Sequence, residues 1–421
     1  MVFGLLPITQ KILFWVLIIV LVWGVNFTFW GLIGLIRLVS DKLHSSKLHW
    51  ERRTTKGKTN IKISDVAIIV PAHNEELVIA DTLRSLSNLI SVKNIYVVSD
   101  GSSDKTVEIV DNFGANVLNL KISHGKAGAL EACLKNFNLL QKYKAVLFVD
   151  ADTRLKSDYL EKALPFFSDP EVISVAGFAK TIWDPKKMSW VQLLFVSYRD
   201  RLYFFNQLLV KFGQTWRHTN VTPIIPGFAS VYRSSALKQM TLNPAGLVIE
   251  DFNMTFEVHH KRLGRIAHHP SVVAFTQDPD NQHDYYRQVK RWDLGLWQTI
   301  RLHGIWRSKF WFAMSITLIE VILSSIMFLI LPVLLIIFFI PHLIIGVFHF
   351  WLLALFLGIF ISDYSLTFVA AMIQRRPQYI ILGFLFPFMH IYDALAFLGA
   401  IPKAYLTKSN GQWVSPTRRS S

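Results

Sequence analysis

Asp150 and Asp152 stand one residue apart at the end of a short apolar run, Ala145–Val149. A run of that length, rich in β-branched and aromatic residues, reads as a buried strand. Ligands of open α/β sheets bind beyond the carboxyl ends of such strands. Two carboxylates there can hold a hard divalent cation, Mg2+ or Mn2+, whose other ligands are substrate phosphates and water; an ordinary polar strand exit has the same composition. Asp100 follows the apolar run Ile95–Val98 in the same way and is placed to accept hydrogen bonds from a base or ribose. Ser102, Ser103 and Asp104 after it suit a helix cap. Lys126, in the loop Ser123–Gly128 ahead of a helix, can meet a phosphate, although the G-x-x-x-x-G-K-[ST] spacing of a Walker loop is absent. Glu250 and Asp251 again follow an apolar pair, Val248-Ile249, where a helix N-cap would also explain Asp251. Gln288, Arg291 and Trp292 are spaced i, i+3, i+4 and share one helix face: an amide, a guanidinium that matches phosphate, and a flat wall for a sugar ring. Gly227, Ala229 and Ser230 belong to a turn running into small residues, which let a ligand approach the backbone closely. His259, His260, His268 and His269 carry no metal-binding helix spacing, so no zinc site is expected there.

The elements that must position these residues alternate. Strands are expected at Val66–Val70, Ile95–Val98, Asn116–Leu120 and Ala145–Val149, and helices at Glu75–Leu89, Lys105–Asn112 and Ala127–Gln141. This βαβαβαβ order implies an α/β unit with a mostly parallel sheet and helices on both faces. Pro71, Ala72, His73, Asn74 and Glu75 close the first strand. Beyond Asp152 a strand is expected at Val172–Gly177, and helices at Phe252–Arg262 and Asp284–Arg301. Met188–Phe212 is an aromatic helix interrupted by Arg199, Asp200 and Arg201; it either lies on a membrane surface or packs as a core helix.

The flanks are of another kind. The chain of 421 residues is 52% hydrophobic with net charge +15, and its mean hydropathy of +0.35 points to membrane spans. Lys and Arg beside such spans explain the charge, and no nucleic-acid-binding module is recognisable. Cys133 is the single cysteine, which excludes an intrachain disulfide and a cysteine-based zinc site. Ile12–Ile36 has no charged residue and is long enough to span; its apolar core exceeds that of a signal peptide, so a retained helix is expected. Arg37, Lys42, Lys47, Arg52, Arg53, Lys56, Lys58 and Lys62 follow, which places that side in the cytoplasm and near anionic headgroups. Two further spans are expected at Ser315–Phe339 and Leu343–Ile361, with Arg375 and Arg376 back in the cytoplasm. Gln378–Ile401 either crosses, leaving Lys403, Lys408, Arg418 and Arg419 outside against the charge rule, or is re-entrant. The expected organisation is an N-terminal transmembrane helix (1–40), a cytoplasmic domain with membrane-interface helices (41–309), and a C-terminal transmembrane region with a basic tail (310–421).

Taken together, Asp100, Asp150-Ala151-Asp152, Glu250-Asp251 and Gln288-Val289-Lys290-Arg291-Trp292 resemble the D, D-x-D, (T)ED, Q-x-x-R-W signature of membrane-bound family 2 glycosyltransferases. That group includes cellulose, hyaluronan, chitin and poly-N-acetylglucosamine synthases. The resemblance covers about Val66–Gln298 and implies a GT-A-type nucleotide-sugar-binding domain. It implies that Pro71–Glu75 and Asp100 hold the uridine of a UDP-sugar and that Lys126 reaches the nucleotide. Asp150 would lie near the donor, and Asp152 would ligate Mg2+ or Mn2+ on the diphosphate. Gly227, Phe228, Ala229 and Ser230 would line the acceptor site. Asp251, beside Glu250, would be the catalytic base, and Gln288, Arg291 and Trp292 would clamp the diphosphate and the acceptor end. Ile249 stands where Thr is usual, which leaves the carboxylates in place, and one N-terminal span stands where several polymer synthases have two.

The function so implied is inverting, metal-dependent transfer from a UDP-sugar to a growing β-linked polysaccharide, poly-N-acetylglucosamine-like as the first expectation, with coupled export. Addition of a single sugar to a lipid acceptor is the alternative within the class, and a non-catalytic membrane scaffold or transporter the alternative outside it. The expected partners are the UDP-sugar, a polysaccharide or lipid-linked acceptor and membrane lipids, with room for an accessory membrane subunit. The expected location is the cell membrane, multi-pass, with the catalytic domain cytoplasmic.

Overall fold

The computed structural model of the chain describes residues 24–43, 61–339 and 346–406. The first half of the expected N-terminal span, the basic residues Lys47, Arg52, Arg53, Lys56 and Lys58, the start of the span expected from Leu343, and Lys408, Arg418 and Arg419 lie outside the described residues.

Helix α1 (Val25–Leu43) is the described part of the first apolar segment. The α/β unit then runs β1 (Val66–Ala72), α2 (Ile79–Ser87), β2 (Ile95–Asp100), α3 (Thr106–Phe113), β3 (Asn116–Leu120), α4 (Gly125–Asn136) and β4 (Ala145–Val149). β1, β2 and β4 are buried at every residue, as strands sandwiched between helix layers must be. Leu83 and Leu86 of α2 and Val110 of α3 fill the core on one face. Leu130, Cys133 and Leu134 of α4 fill the other, and Cys133 is a wholly buried thiol. β2 extends two residues further than its apolar run, because Ser99 and Asp100 remain paired with β3.

The second half adds β5 (Arg154–Leu155), β6 (Val172–Thr181), β7 (Ala229–Arg233) and β8 (Arg265–Thr276), giving the order β3-β2-β1-β4-β7-β6-β8-β5. The sheet is parallel through β3-β2-β1-β4. It becomes mixed where β7 enters antiparallel to both β4 and β6, while β8 runs parallel to β6. The antiparallel entry brings the start of β7 beside the end of β4, with Ala229 opposite Val149.

Helix α5 (Trp190–Phe205) begins at a Ser189–Gln192 capping box and continues into a π-helical turn, Asn206–Lys211. Of the two readings of this aromatic stretch, burial against protein holds for its centre: Phe195–Arg201 are buried throughout. Next come α6 (Glu250–His260) and α7 (Gln282–His303). α1 crosses the end of the α5 segment at a pair of glycines: a Cβ on Gly213 would meet the Trp30 carbonyl, and one on Gly34 the Leu209 carbonyl.

The C-terminal region is helical: α8 (Lys309–Phe339), α9 (Gly346–Gln374) and α10 (Phe386–Leu406). Among the described residues, three stretches are long and apolar enough to cross a membrane: Lys309–Leu334, Phe356–Gln374 and Gln378–Leu406. The second reaches well beyond the Ile361 expected from hydropathy, because the charge at Asp363 is matched inside the protein by Arg201. The third is helical from Gln378 onward through a tight 3-10 turn at Gly383–Leu385 and has no hairpin break.

Candidate active site

The residues at the strand ends converge at the mouth of the sheet, and Lys126 joins them. Its ammonium nitrogen lies 2.8 Å from Asp150 Oδ1 and 2.8 Å from Glu250 Oε1. The start of α4 carries the lysine, the end of β4 leads into Asp150, and the first turn of α6 carries Glu250. Burial works against the charge on Lys126, but Asp150, Glu250 and Asp251 outweigh it and hold the ammonium well above its ordinary range. Burial likewise opposes the charge of Glu250, and Lys126 overcomes it, so that carboxyl sits below its ordinary value. Asp251 differs. Burial, reinforced by Glu250, pushes it up to about 6, against the opposing pull of Lys126 and of the Gly227 N–H. Two neighbouring carboxylates thus carry opposite shifts, a division that separates a fixed charge from a group able to exchange a proton.

Gly227 closes the cluster from the β7 side, donating its N–H to Asp251 Oδ2 at 2.8 Å. A Cβ there would stand 3.0 Å from Lys126 Nζ and 3.3 Å from Asp251 Cγ, so a side chain at this position would crowd the ion cluster. The Phe228 carbonyl accepts from the Asp150 N–H (3.1 Å), which ties the Asp-Ala-Asp loop to β7. Thr82 on α2 donates to the Ala151 carbonyl (2.6 Å) from the other side. Ser230 is turned back to the Pro226 carbonyl (2.6 Å), and Ala229 accepts from the buried Tyr159 hydroxyl (3.0 Å).

One side of the mouth is a knot of loops. His73 Nδ1 lies 2.7 Å from the Asp100 carbonyl, and Asn74, in the left-handed region at φ 54°, accepts from the Ser103 N–H (2.8 Å). Glu75 is buried, and its N–H reaches Thr106 Oγ1 (2.9 Å). Asp100 is fully buried, and its carboxylate accepts from Ser123 Oγ and from the His124 N–H, both at 2.7 Å. In this arrangement Asp100 anchors the loop that presents Lys126. Asp104 accepts from the backbone of Thr106 and Glu76 in the capping role expected of it.

Asp152 is nearly buried and faces a second group of residues. Its charge helps to raise Asp278, which burial pushes up to about 6 and which accepts from Thr181 Oγ1 at 2.6 Å. Arg199 joins this group to α7: it donates to Gln288 Oε1 (2.9 Å), and its guanidinium carbon lies 4.5 Å from the centre of the Trp292 ring. Arg291 acts on Glu250 as a favourable charge. Arg199, Asp278 and Lys211 are site neighbours that sequence reasoning did not assign; burial pulls the Lys211 amine down to about 7, with Asp251 acting in the opposite sense. The available signal was the Arg-Asp-Arg run inside an aromatic helix, whereas Asp278 follows no pattern. His259, His260, His268 and His269 do not converge: His268 bonds the Ala176 and Gln207 carbonyls, His259 the Thr222 carbonyl, and His260 stacks on Trp306.

Among the described residues, no three His, Cys, Asp or Glu side chains form a self-sufficient cation cage. Asp150 and Asp152 suit a cation that takes one or two carboxylates and completes its shell with substrate phosphate and water, and the donor chemistry of the pair fits Mg2+ or Mn2+ on those terms.

Paired carboxylates, a lysine and an amide–guanidinium–indole face thus gather at the mouth of an α/β sheet. Residues 67–241 match the model of the family described as glycosyl transferase family 2, and the chain carries a family 2 glycosyltransferase domain. The match ends before Glu250-Asp251 and the Gln288–Trp292 face, which geometry alone brings to the same mouth. The chain is 28% identical over 256 residues to a probable glycosyltransferase, YdaM, of Bacillus subtilis, covering 58% of this chain and 59% of that protein's length. It is 23% identical over 385 residues to the poly-beta-1,6-N-acetyl-D-glucosamine synthase of Staphylococcus epidermidis, covering 85% of this chain and 88% of the relative. Among solved structures, it is similar to the mannosyltransferase PcManGT of Pyrobaculum calidifontis, solved with GDP-Man and Mn2+, at 16% identity and a TM-score of 0.49 over 90% of this chain and 99% of that one.

Proposed function

We propose that the protein is an inverting, divalent-cation-dependent membrane glycosyltransferase that moves a sugar from a UDP-sugar to a growing β-linked polysaccharide. The observation that carries this reading is the division of labour at Glu250-Asp251: one carboxyl held charged by Lys126, the other raised to about 6 beside it. A base whose proton affinity lies near the working pH takes a proton most effectively as a poor nucleophile attacks. The acceptor hydroxyl oxygen bonds to the anomeric carbon as the bond from that carbon to the diphosphate oxygen breaks. The hydroxyl proton passes to Asp251, and UDP leaves. One displacement inverts the anomeric centre, so an α-linked donor gives a β-linked product. Asp152, with Asp150 beside it, would hold the cation, which when bound supplies charge neutralisation to the departing diphosphate. Arg291 adds a second positive charge, and Pro71–Glu75 with Asp100 frame the uridine. Gly227–Ser230 would line the acceptor end, and Gln288 and Trp292 would clamp it together with the diphosphate.

The likeness to the S. epidermidis synthase over most of the chain supports a poly-N-acetylglucosamine-like product. The three apolar helices support a multi-pass membrane protein; the proposal sets the transferase domain on the cytoplasmic side from the basic residues Arg37, Lys42 and Lys62 after the first apolar segment, with the product passed outward. Membrane lipids and an accessory membrane subunit belong to the same proposal. The test offers the purified chain in nanodiscs a panel of UDP-sugars with Mg2+, Mn2+ or chelator, recording UDP release and product size. The expected outcome is release with one donor, lost in chelator, and a long product. One added sugar on a lipid would replace the polymer reading, and no release from any donor would overturn the transferase assignment.

A further inference from the structure

Arg199, Asp200 and Arg201 of α5 have no part in the transfer chemistry, yet they are only 5%, 5% and 3% exposed. Each is answered by the C-terminal helices or by α7. Arg201 pairs with Asp363 of α9 at 2.8 Å and donates to Thr367 Oγ1 at 2.8 Å. Asp363 is also 3.1 Å from His390 Nε2 of α10. The other ring nitrogen of His390 lies 2.9 Å from the Tyr198 hydroxyl, and Tyr198 donates to Asp393 Oδ2 at 2.6 Å. The second oxygen of Asp393 accepts from Tyr285, also at 2.6 Å. Tyr285 stands on α7 one turn before Gln288. The chain of contacts therefore runs Asp363–His390–Tyr198–Asp393–Tyr285 and ends on the helix that carries Gln288 and Trp292. Arg199 makes the last connection: it donates to Gln288 and lies over both the Tyr285 ring (4.8 Å) and the Trp292 ring (4.5 Å).

An ionised carboxylate in an apolar helix is costly unless its oxygens are matched, and apolar packing would hold helices together at least as well. What a saturated carboxylate adds is a single geometry: both oxygens of Asp393 are committed, one to α5 and one to α7. Rotation of α7 by a fraction of a turn would break the Tyr285 bond and slide Arg199 off Trp292.

We infer that Asp393 is a positioning residue for sugar transfer. Through Tyr285 and Arg199 it fixes the face of α7 that meets the diphosphate and the acceptor, and so couples the transferase site to the apolar helices. This inference rests on the transferase reading. Tyr285→Phe, Asp393→Asn and the double variant of the full chain in nanodiscs are compared with the parent protein for turnover, donor KM and UDP binding by calorimetry. Each single change should lower kcat about 10- to 100-fold, the scale of a small misplacement of reacting groups, with donor KM and UDP affinity within about twofold. The double variant should be no worse than Asp393→Asn, since both cut the same link. Parental turnover in Tyr285→Phe, losses that multiply in the double variant, or UDP affinity falling in step with turnover would each overturn the inference. If Asp393→Asn does not fold, Tyr285→Phe, which keeps the ring under Arg199, decides alone. A parent that transfers no sugar overturns the transferase reading and this inference with it; a parent that transfers while Tyr285→Phe matches it overturns this inference only.

Discussion

A carboxylate proposed to take a proton works best when its proton affinity lies near the working pH, and Asp251 is raised by its burial and by Glu250 beside it. Transfer should therefore fall away as the pH drops through about 6, where Asp251 becomes protonated, and a pH–rate profile of kcat/KM reads this directly. Asp251→Asn should reduce turnover by about 100- to 10,000-fold while UDP binding persists. The same shift has a stability consequence. The folded carboxyl binds its proton more tightly than the unfolded one, so its contribution is full below about pH 4 and is lost as the pH rises through about 6. Asp251→Asn removes that loss and should melt at a higher temperature than the parent at about pH 8; a lower melting temperature would count against a raised Asp251. At this scale the gathering of Asp100 and Asp150 was legible in the sequence, since each stands at the end of an apolar run that forms a strand, and strand ends converge; Glu250 and Asp251 follow no strand and open a helix instead. Lys126 bridging Asp150 and Glu250 was not legible, nor was Arg199 on Gln288, because those meetings depend on side chains from segments far apart in the chain.

Individual elements explain which parts of the fold the pattern showed. β1, β2 and β4 are buried on both faces and so announce themselves as unbroken apolar runs. β7 (Ala229–Arg233) is short and begins with small residues; it is a strand because β4 and β6 leave a place between them. β8 contains His268-His269-Pro270, and its pairing with β6 is irregular between Ala176 and Phe178, so no alternation survives to be read. The crossing of α1 over the end of the α5 segment depends equally on spatial neighbours. A Gly213→Val side chain would press on the Trp30 backbone, and the helices would have to part. The expected cost is about 1–3 kcal/mol of stability. A cysteine pair at Ile33 and Val210, which pack in one cluster in the parent protein, should then form a disulfide in lower yield than it does with Gly213 intact.

The whole molecule joins an α/β sheet, with its candidate site at the strand ends, to a set of apolar helices. On the proposed topology, with the transferase domain in the cytoplasm, α8 would leave, α9 would return, and the turn at Arg375 would come back to the same side as the sheet. Cys133 is wholly buried and leaves little background for thiol labelling. Lys142→Cys on the α/β unit and Arg375→Cys at the turn should therefore both react with an impermeant maleimide in inside-out vesicles and neither in right-side-out ones; labelling of the two from opposite sides would break this topology. The link from Asp393 to Tyr285 spans 108 positions of the chain. A ribosome therefore completes Gln288 and Trp292 long before it makes the carboxylate that holds their helix in place. On the inferred coupling, a nascent chain would carry the full set of transfer residues before the carboxylate that positions their helix, and its transfer would be slower until α10 docks.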